Sequence, residues 1–344
     1  MPDHPAAEPT GERRAAPPDG FRTRPPTFDD LDAVTSLHAA AARERTGHAR
    51  LRREDLRVRW LGLAALDEAL LVEHPAADGP VAYAAFEADH DPIDDELDLH
   101  IDAVVHPAWT GHGLASFLLA RALDRARRAA SAAGHDTAVL TTALIDGDEP
   151  ARAFHAARGF VPVRHLLELR LDLHAPPPTA VWPPAVRVRG YLDADARALW
   201  AAHQAAFDDV PTHLPLTFDE FRAHRLDPAA GFDPHLTRLA VTSDDAIVGL
   251  LIARAGTEVA AEDGWVRDLG VVPAWRRHGI GMALLRTAFE AFRARGLTGV
   301  ALEVDDVTLD GAVALYRRAG MRIVHRTDVL ARQITLEPGS GRHP

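Results

Sequence analysis

The segment Val271-Val272-Pro273-Ala274-Trp275-Arg276-Arg277-His278-Gly279-Ile280-Gly281 joins an apolar run to an amphipathic one. Two glycines two apart let a backbone approach a ligand closely. The amides that open a helix carry orphan N–H groups and the positive end of its dipole, a combination that favours phosphate. Arg276 and Arg277 add charge beside them. The spacing therefore suits a pyrophosphate cradle. It lacks the third glycine of a dinucleotide-binding fingerprint and an acidic residue at the ribose-binding distance, and a tight strand–helix turn that binds nothing is the ordinary alternative. Cysteine is absent, which excludes disulfides, thiolate metal sites and a cysteine nucleophile. All 38 basic residues are Arg, and the lack of Lys excludes a Walker phosphate loop, a Schiff-base lysine and a kinase-type ATP lysine. Histidine is plentiful, yet no His-Glu-x-x-His or comparable ligand set occurs, so no metal is expected.

The elements that position this loop occur twice. Pro107-Ala108-Trp109 leads to His112-Gly113-Leu114-Ala115, and Pro273-Ala274-Trp275 leads to His278-Gly279-Ile280-Gly281, an offset of 166 residues. At the same offset Val81-Ala82-Tyr83 answers Ile247-Val248-Gly249, and Asp102 answers Asp268. Each block opens with a short strand, Phe21 to Arg24 and Val186 to Arg189, followed by a helix. Thr27 with Asp30 forms a capping-box-like start, and Ala33, Val34 and Leu37 have helical spacing. Hairpins follow, turning at Asp78-Gly79 and at Asp244-Asp245. A fourth strand runs into each Pro-Ala-Trp segment. The helices after the glycines present one apolar face, Leu118, Leu119, Ala122, Leu123 and Ala126 in the first and Leu284, Leu285, Ala288, Phe289 and Phe292 in the second. Gly134 and Gly296 stand where their C-caps are expected. A fifth strand, a short helix and closing strands complete each block. The expected fold is α/β: two tandem domains, each a mixed central sheet with helices on both faces. The domains span 21–174 and 186–337, with a loose tail over 1–20, a Pro-rich linker over 175–185 and a second tail over 338–344.

The chain has 344 residues, 38 Lys+Arg against 50 Asp+Glu, and a formal charge of −12. Non-specific binding to nucleic acid or an anionic membrane is disfavoured by that balance. No apolar run is long enough to span a bilayer and the N-terminus lacks a signal-peptide core, so a soluble, cytoplasmic protein is expected.

Arg276-x-x-Gly279-x-Gly281 after a Val-x-Pro strand end resembles the acetyl-CoA loop of the GCN5-related N-acetyltransferases (GNAT). Leu302-Glu303-Val304-Asp305, followed by Gly311 through Leu315-Tyr316 to Gly320-Met321, is similar to that family's fifth strand and tyrosine-bearing helix. The tandem arrangement, with Ala205-Ala206-Phe207 and Phe232-Asp233-Pro234, resembles the mycothiol synthase subgroup. The resemblance implies direct transfer of an acetyl group from acetyl-CoA to a primary amine of a small molecule, in the C-terminal domain. Leu269, Gly270 and Val271 would hold the thioester and pantetheine arm, and Arg276, Arg277, His278, Gly279, Ile280, Gly281 and Met282 the diphosphate. Tyr316 matches the family's general acid, and its position four residues before Gly320 favours that role over a helix-core aromatic. Glu303 and Asp268 are the candidate bases, unless either is structural and a water chain carries the proton. Thr308 stands near where many relatives carry an Asn that contacts the cofactor.

The first block departs from this pattern. Thr110 replaces Arg276, His155 replaces Tyr316, and Thr141 or Thr142 falls at the Glu303 position, while Gly111, Gly113 and Ala115 keep the loop. A degenerate domain that shapes the substrate site, with or without CoA bound, is expected there. Asp208, Asp209, Asp219 and Glu220 suit either a cationic acceptor or a solvated acidic face. The alternatives are a protein or peptide acceptor, or a catalytically silent CoA-binding sensor. The chain is expected to be a monomer or a homodimer.

Overall fold

The computed structural model describes residues 16–46, 51, 53–63, 66–91, 96–210, 215–228, 231–256, 262–305 and 311–336. The chain divides into two compact units. One contains Met1–Ala143, Glu149–Val161 and Leu330–Pro344, and the other Leu144–Asp148 and Pro162–Val329.

The first unit is built from β1 (Arg22–Arg24), α1 (Leu31–Thr46), α2 (Arg53–Gly62), β2 (Ala69–Glu73), β3 (Ala82–Asp91), β4 (Glu96–Val105), α3 (Leu114–Ala133), β5 (Thr137–Ile145) and α4 (Glu149–Ala156). Strand order is β1-β2-β3-β4-β5, antiparallel up to β4, with β4 and β5 parallel. The Thr27–Asp30 capping box forms: the Asp30 carboxylate accepts from the Thr27 amide at 2.8 Å and from its hydroxyl at 3.0 Å. Leu31, Val34, Leu37, Leu56 and Trp60 carry α1 and α2 onto Leu71 and Tyr83. Helix α3 buries Leu118, Leu119, Ala122, Leu123 and Ala126, as its spacing predicts, and ends on Gly134 at φ 82°.

The second unit is built from β6 (Val161–Asp172), β7 (Arg187–Gly190), α5 (Ala196–Phe207), α6 (Phe218–Phe221), β8 (Arg238–Val241), β9 (Ile247–Ala255), β10 (Asp263–Val271), α7 (Ile280–Ala294), β11 (Gly299–Asp305), α8 (Ala312–Arg318) and β12 (Arg322–Thr335). Strand order is β7-β8-β9-β10-β11-β6-β12. By sequence β6 closes the first repeat, yet it packs in the second unit, antiparallel to β11 from Gly299↔Asp172 to Asp305↔Leu166. The end of β12 belongs to the first unit, where the Leu336 amide donates to the Asp136 carbonyl at 2.8 Å. The first repeat thus lends its last strand, and the second repeat the end of its last strand, to the other unit, which an offset between two sequences does not reveal. Leu284, Leu285, Ala288, Phe289 and Phe292 of α7 bury one sheet face, and Leu199, Ala202 and Phe221 of α5 and α6 the other. Each Leu or Phe among them contributes about 1.5–3 kcal/mol on full burial.

Candidate active site

In the second unit β10 and β11 pair in parallel only at Asp263↔Gly299, Gly264↔Val300 and Trp265↔Ala301. At that end Arg170 of β6 donates to both oxygens of Asp263, at 2.6 and 2.9 Å. Both strands continue, β10 to Val271 and β11 to Asp305, without further pairing to each other. The edge of β10 that faces the split therefore carries main-chain groups at Leu269, Gly270 and Val271, whose other edge pairs with Leu251, Leu250 and Gly249 of β9. A Cβ on Gly270 would stand 2.9 Å from both Ala206 and Phe207, so glycine is what lets α5 lie this close to the strand.

The loop after β10 is braced from below. Arg276 donates to the carbonyls of Val271 and Ala206, each at 3.0 Å, and pairs with Asp209. Asp209 in turn raises the Arg276 pKa. Arg276 is thus occupied in holding the loop to α5, while Arg277 and His278 stand exposed. Arg277 sits at φ 66° and Gly279 at φ 84°. Nothing lies within 4 Å of a Cβ at Gly279, so its requirement for glycine is conformational, not steric. The first helical bond of α7 runs from the Ala283 amide to the Gly279 carbonyl, which leaves the amides of Ile280, Gly281 and Met282 without intrahelical acceptors.

Asp268 lies inside a charged cluster assembled from three elements. Its carboxylate is 3.6 Å from His203 Nε2 on α5 and 3.2 Å from Arg225 Nε. Arg225 belongs to a π-helical turn, Arg222–Leu226, that continues α6. Burial opposes the charge on Asp268, but His203, Arg225 and Arg267 outweigh it and hold the carboxyl below its ordinary range. A carboxylate held in this way is a weak base. Tyr316 is buried, and burial together with the charge of Asp268 pushes its hydroxyl up to about 12. Among the described residues that hydroxyl closes no hydrogen bond. Leu302 and Val304 face the α7 core, so Glu303 between them lies on the opposite sheet face, exposed and in register with the buried Glu168 of β6.

The sequence-identified groups fall around one split. Leu269 to Val271 line its edge, the Arg277–Met282 loop stands at its mouth, and Tyr316 and Asp268 are close enough to act on each other electrostatically. Two of the acidic residues considered for attracting a cation have structural duties: Asp209 holds Arg276, and Glu220 accepts from the Thr217 amide and hydroxyl at 2.8 and 2.7 Å. Thr308 lies outside the described residues. His203, Arg225, Glu168 and Arg267 were not singled out from sequence. For two of them a signal existed, because His38 and Arg59 precede His203 and Arg225 at nearly the offset that relates Asp102 to Asp268.

Among the described residues no helix is long and apolar enough to cross a membrane. The acetyltransferase (GNAT) family model matches residues 31–160 and again 197–321. A protein named mycothiol acetyltransferase from Thermobispora bispora is 31% identical over 300 residues, 86% of this chain and 93% of that protein. Another of that name, from Streptomyces scabiei, is 30% identical over 336 residues, 96% of this chain and 98% of its own. Among solved structures, a GCN5-related N-acetyltransferase from Sphaerobacter thermophilus superposes with a TM-score of 0.76 at 29% identity, covering 93% of this chain and 98% of that one. A tandem GNAT protein from the clavulanic acid biosynthesis pathway shares the fold, with a TM-score of 0.66 at 18% identity over 91% of this chain and 98% of its own. With both repeats matched and relatives of this identity spanning nearly its whole length, the chain belongs to the acetyltransferase (GNAT) family and is an N-acetyltransferase.

Proposed function

We propose that the protein transfers an acetyl group from acetyl-CoA directly to a primary amine of a small molecule, and that the second unit performs the chemistry. The observation that carries this reading is the open edge of β10 beyond Trp265, which runs into a helix N-terminus with free amides beside a tyrosine hydroxyl that closes no hydrogen bond among the described residues. These features suit the donor molecule. The amides of Ile280, Gly281 and Met282, with the exposed Arg277, would hold its diphosphate, and Arg276 would fix the loop rather than bind the ligand. Main-chain groups of Leu269, Gly270 and Val271 would hold the pantetheine arm and orient the thioester. Acetyl-CoA supplies an activated carbonyl and a thiolate leaving group.

The chain's own tasks are then to take a proton from the amine and to give one to the sulfur. Tyr316 suits the second, since a hydroxyl raised to about 12 stays protonated at neutral pH. For the first, Glu303 is the better candidate than Asp268, because Asp268 is already committed to His203 and Arg225 and its basicity is lowered. Similarity to proteins named mycothiol acetyltransferases supports a small-molecule acceptor. The test is release of free CoA thiol from acetyl-CoA across a panel of small amines, with the acetylated product identified by mass spectrometry. Amine-dependent release is the expected result. Acetylation of peptide N-termini or lysines alone, or acetyl-CoA binding without turnover of any amine, would contradict the reading.

A further inference from the structure

The face of the second unit that carries Asp268 also carries a cation that closes no ion pair among the described residues. Arg267 is the extra residue of a bulge in β10: Val266 pairs with Ala253 and Asp268 with Ile252, leaving Arg267 without an opposite number on β9. A bulge bends the strand and re-aims the side chain it carries. Trp265 faces Arg254 of β9, and Asp268 faces His203 of α5 and Arg225. Arg267 shares this environment. Burial pushes its pKa down to about 10, Arg225 and Arg254 push the same way, and Asp268 opposes them. Half-buried, Arg267 closes no hydrogen bond or salt bridge among the described residues. Asp268 acts on Arg267 through its charge but closes no ion pair with it. A half-buried guanidinium that makes no ion pair is open to an anionic partner. Its geometric complement is a planar two-oxygen anion that takes parallel N–H donors. In the first unit the position is Ile101, on a strand paired from Ala82↔Val105 to Asp91↔Glu96 without a bulge, so the cation and the bulge come together.

We propose that the acetyl acceptor is an amine that also bears a carboxylate, and that Arg267 binds this carboxylate at the β10 bulge. The inference rests on the acetyltransferase reading above and narrows its substrate class. It places the acceptor's anion beside the Asp268–Tyr316 pair, where the amine must arrive. It also argues against polyamines and other polycations, which the charge of Arg267 would repel.

The experiment measures thiol release from acetyl-CoA by the full-length protein with matched acceptors, each amino acid against its own carboxamide. The free carboxylates are expected to show kcat/KM about tenfold to a hundredfold higher than the carboxamides, mainly through KM. Arg267→Gln should bring that ratio close to unity, and Arg267→Lys should restore part of it. A merely structural arginine would lower both members of each pair together and leave the ratio intact, which would overturn the proposal. So would equal use of carboxamides, a preference for polyamines, or failure of every carboxylate-bearing amine to react. Calorimetry with acetyl-CoA on the same preparation separates two failures. If the donor binds and the carboxylate preference is absent, only this inference falls; if the donor does not bind, the acetyltransferase site assignment falls first.

Discussion

Both repeats carry the same His–Arg–Asp cluster. In the first unit His38 of α1, Arg59 of α2 and Asp102 of β4 meet, with Arg59 donating to Asp102 at 3.2 Å. In the second, His203, Arg225 and Asp268 do so. Burial opposes the charge of Asp102, but His38, Arg59 and His100 hold its carboxyl down, much as Asp268 is held. Around this common centre the units differ. The first splits its sheet too, with β4 and β5 paired only from Asp98↔Val139 to His100↔Thr141. There, however, the Thr142 hydroxyl reaches across to the Ile101 carbonyl at 3.1 Å and stitches the mouth. By strand register Thr142 is the counterpart of Glu303. His155 stands in place of Tyr316, with its Nδ1 2.8 Å from the Ala151 carbonyl of its own helix. Pro18 lies 3.7 Å from where a Cβ on Gly113 would stand, whereas the space at Gly279 is open. What the repeats share therefore holds helices to a split sheet, and what separates them bears on ligand access and proton transfer.

That contrast can be broken most sharply at the two aligned helix positions. Tyr316→Phe is expected to lower kcat by about a hundredfold to a thousandfold, as loss of a general acid does, and His155→Ala to leave it within about twofold. The reverse outcome would move the chemistry to the first unit. Since Tyr316 ionises only at about 12, wild-type kcat should show no alkaline loss from this group between about pH 7 and pH 10.

The shared cluster predicts an effect in both units, larger in the second. Asp268→Asn should cost about 3 kcal/mol in urea unfolding and Asp102→Asn about 1 kcal/mol, because Asp268 is held among largely buried partners whereas Arg59 stands exposed beside Asp102. Both carboxyls titrate below their ordinary value in the folded protein. Their contribution is therefore complete above about pH 4, the value of an unfolded Asp, and drains away as pH falls through the lower native value. Each Asn variant should lose part of that acid-side slope. If only one aspartate matters to stability, the cluster is not a common structural device.

Much of the comparison was legible in the residues themselves. The 166-residue offset gave the duplication, helical spacing gave the buried faces of α3 and α7, and the loop glycines gave the helix start at Ile280. The exchange of β6 and the end of β12 was not legible, because alternating apolar residues specify a strand but not its neighbour. The duty of Arg276 was also hidden, since a cation beside a glycine loop suits a phosphate and an aspartate equally well. The bulge at Arg267 depends on pairing register, which no single strand encodes. Glu168 became visible only once β6 lay beside β11.

The most direct test is calorimetric titration of acetyl-CoA into the full-length protein, Gly279→Ala and Gly113→Ala. At φ 84° an alanine is strained although it meets no neighbour, so Gly279→Ala should distort the amides that open α7. The account predicts uptake of one donor molecule per chain, weakened about tenfold by Gly279→Ala and unchanged by Gly113→Ala. Uptake that survives Gly279→Ala and is lost with Gly113→Ala would contradict it.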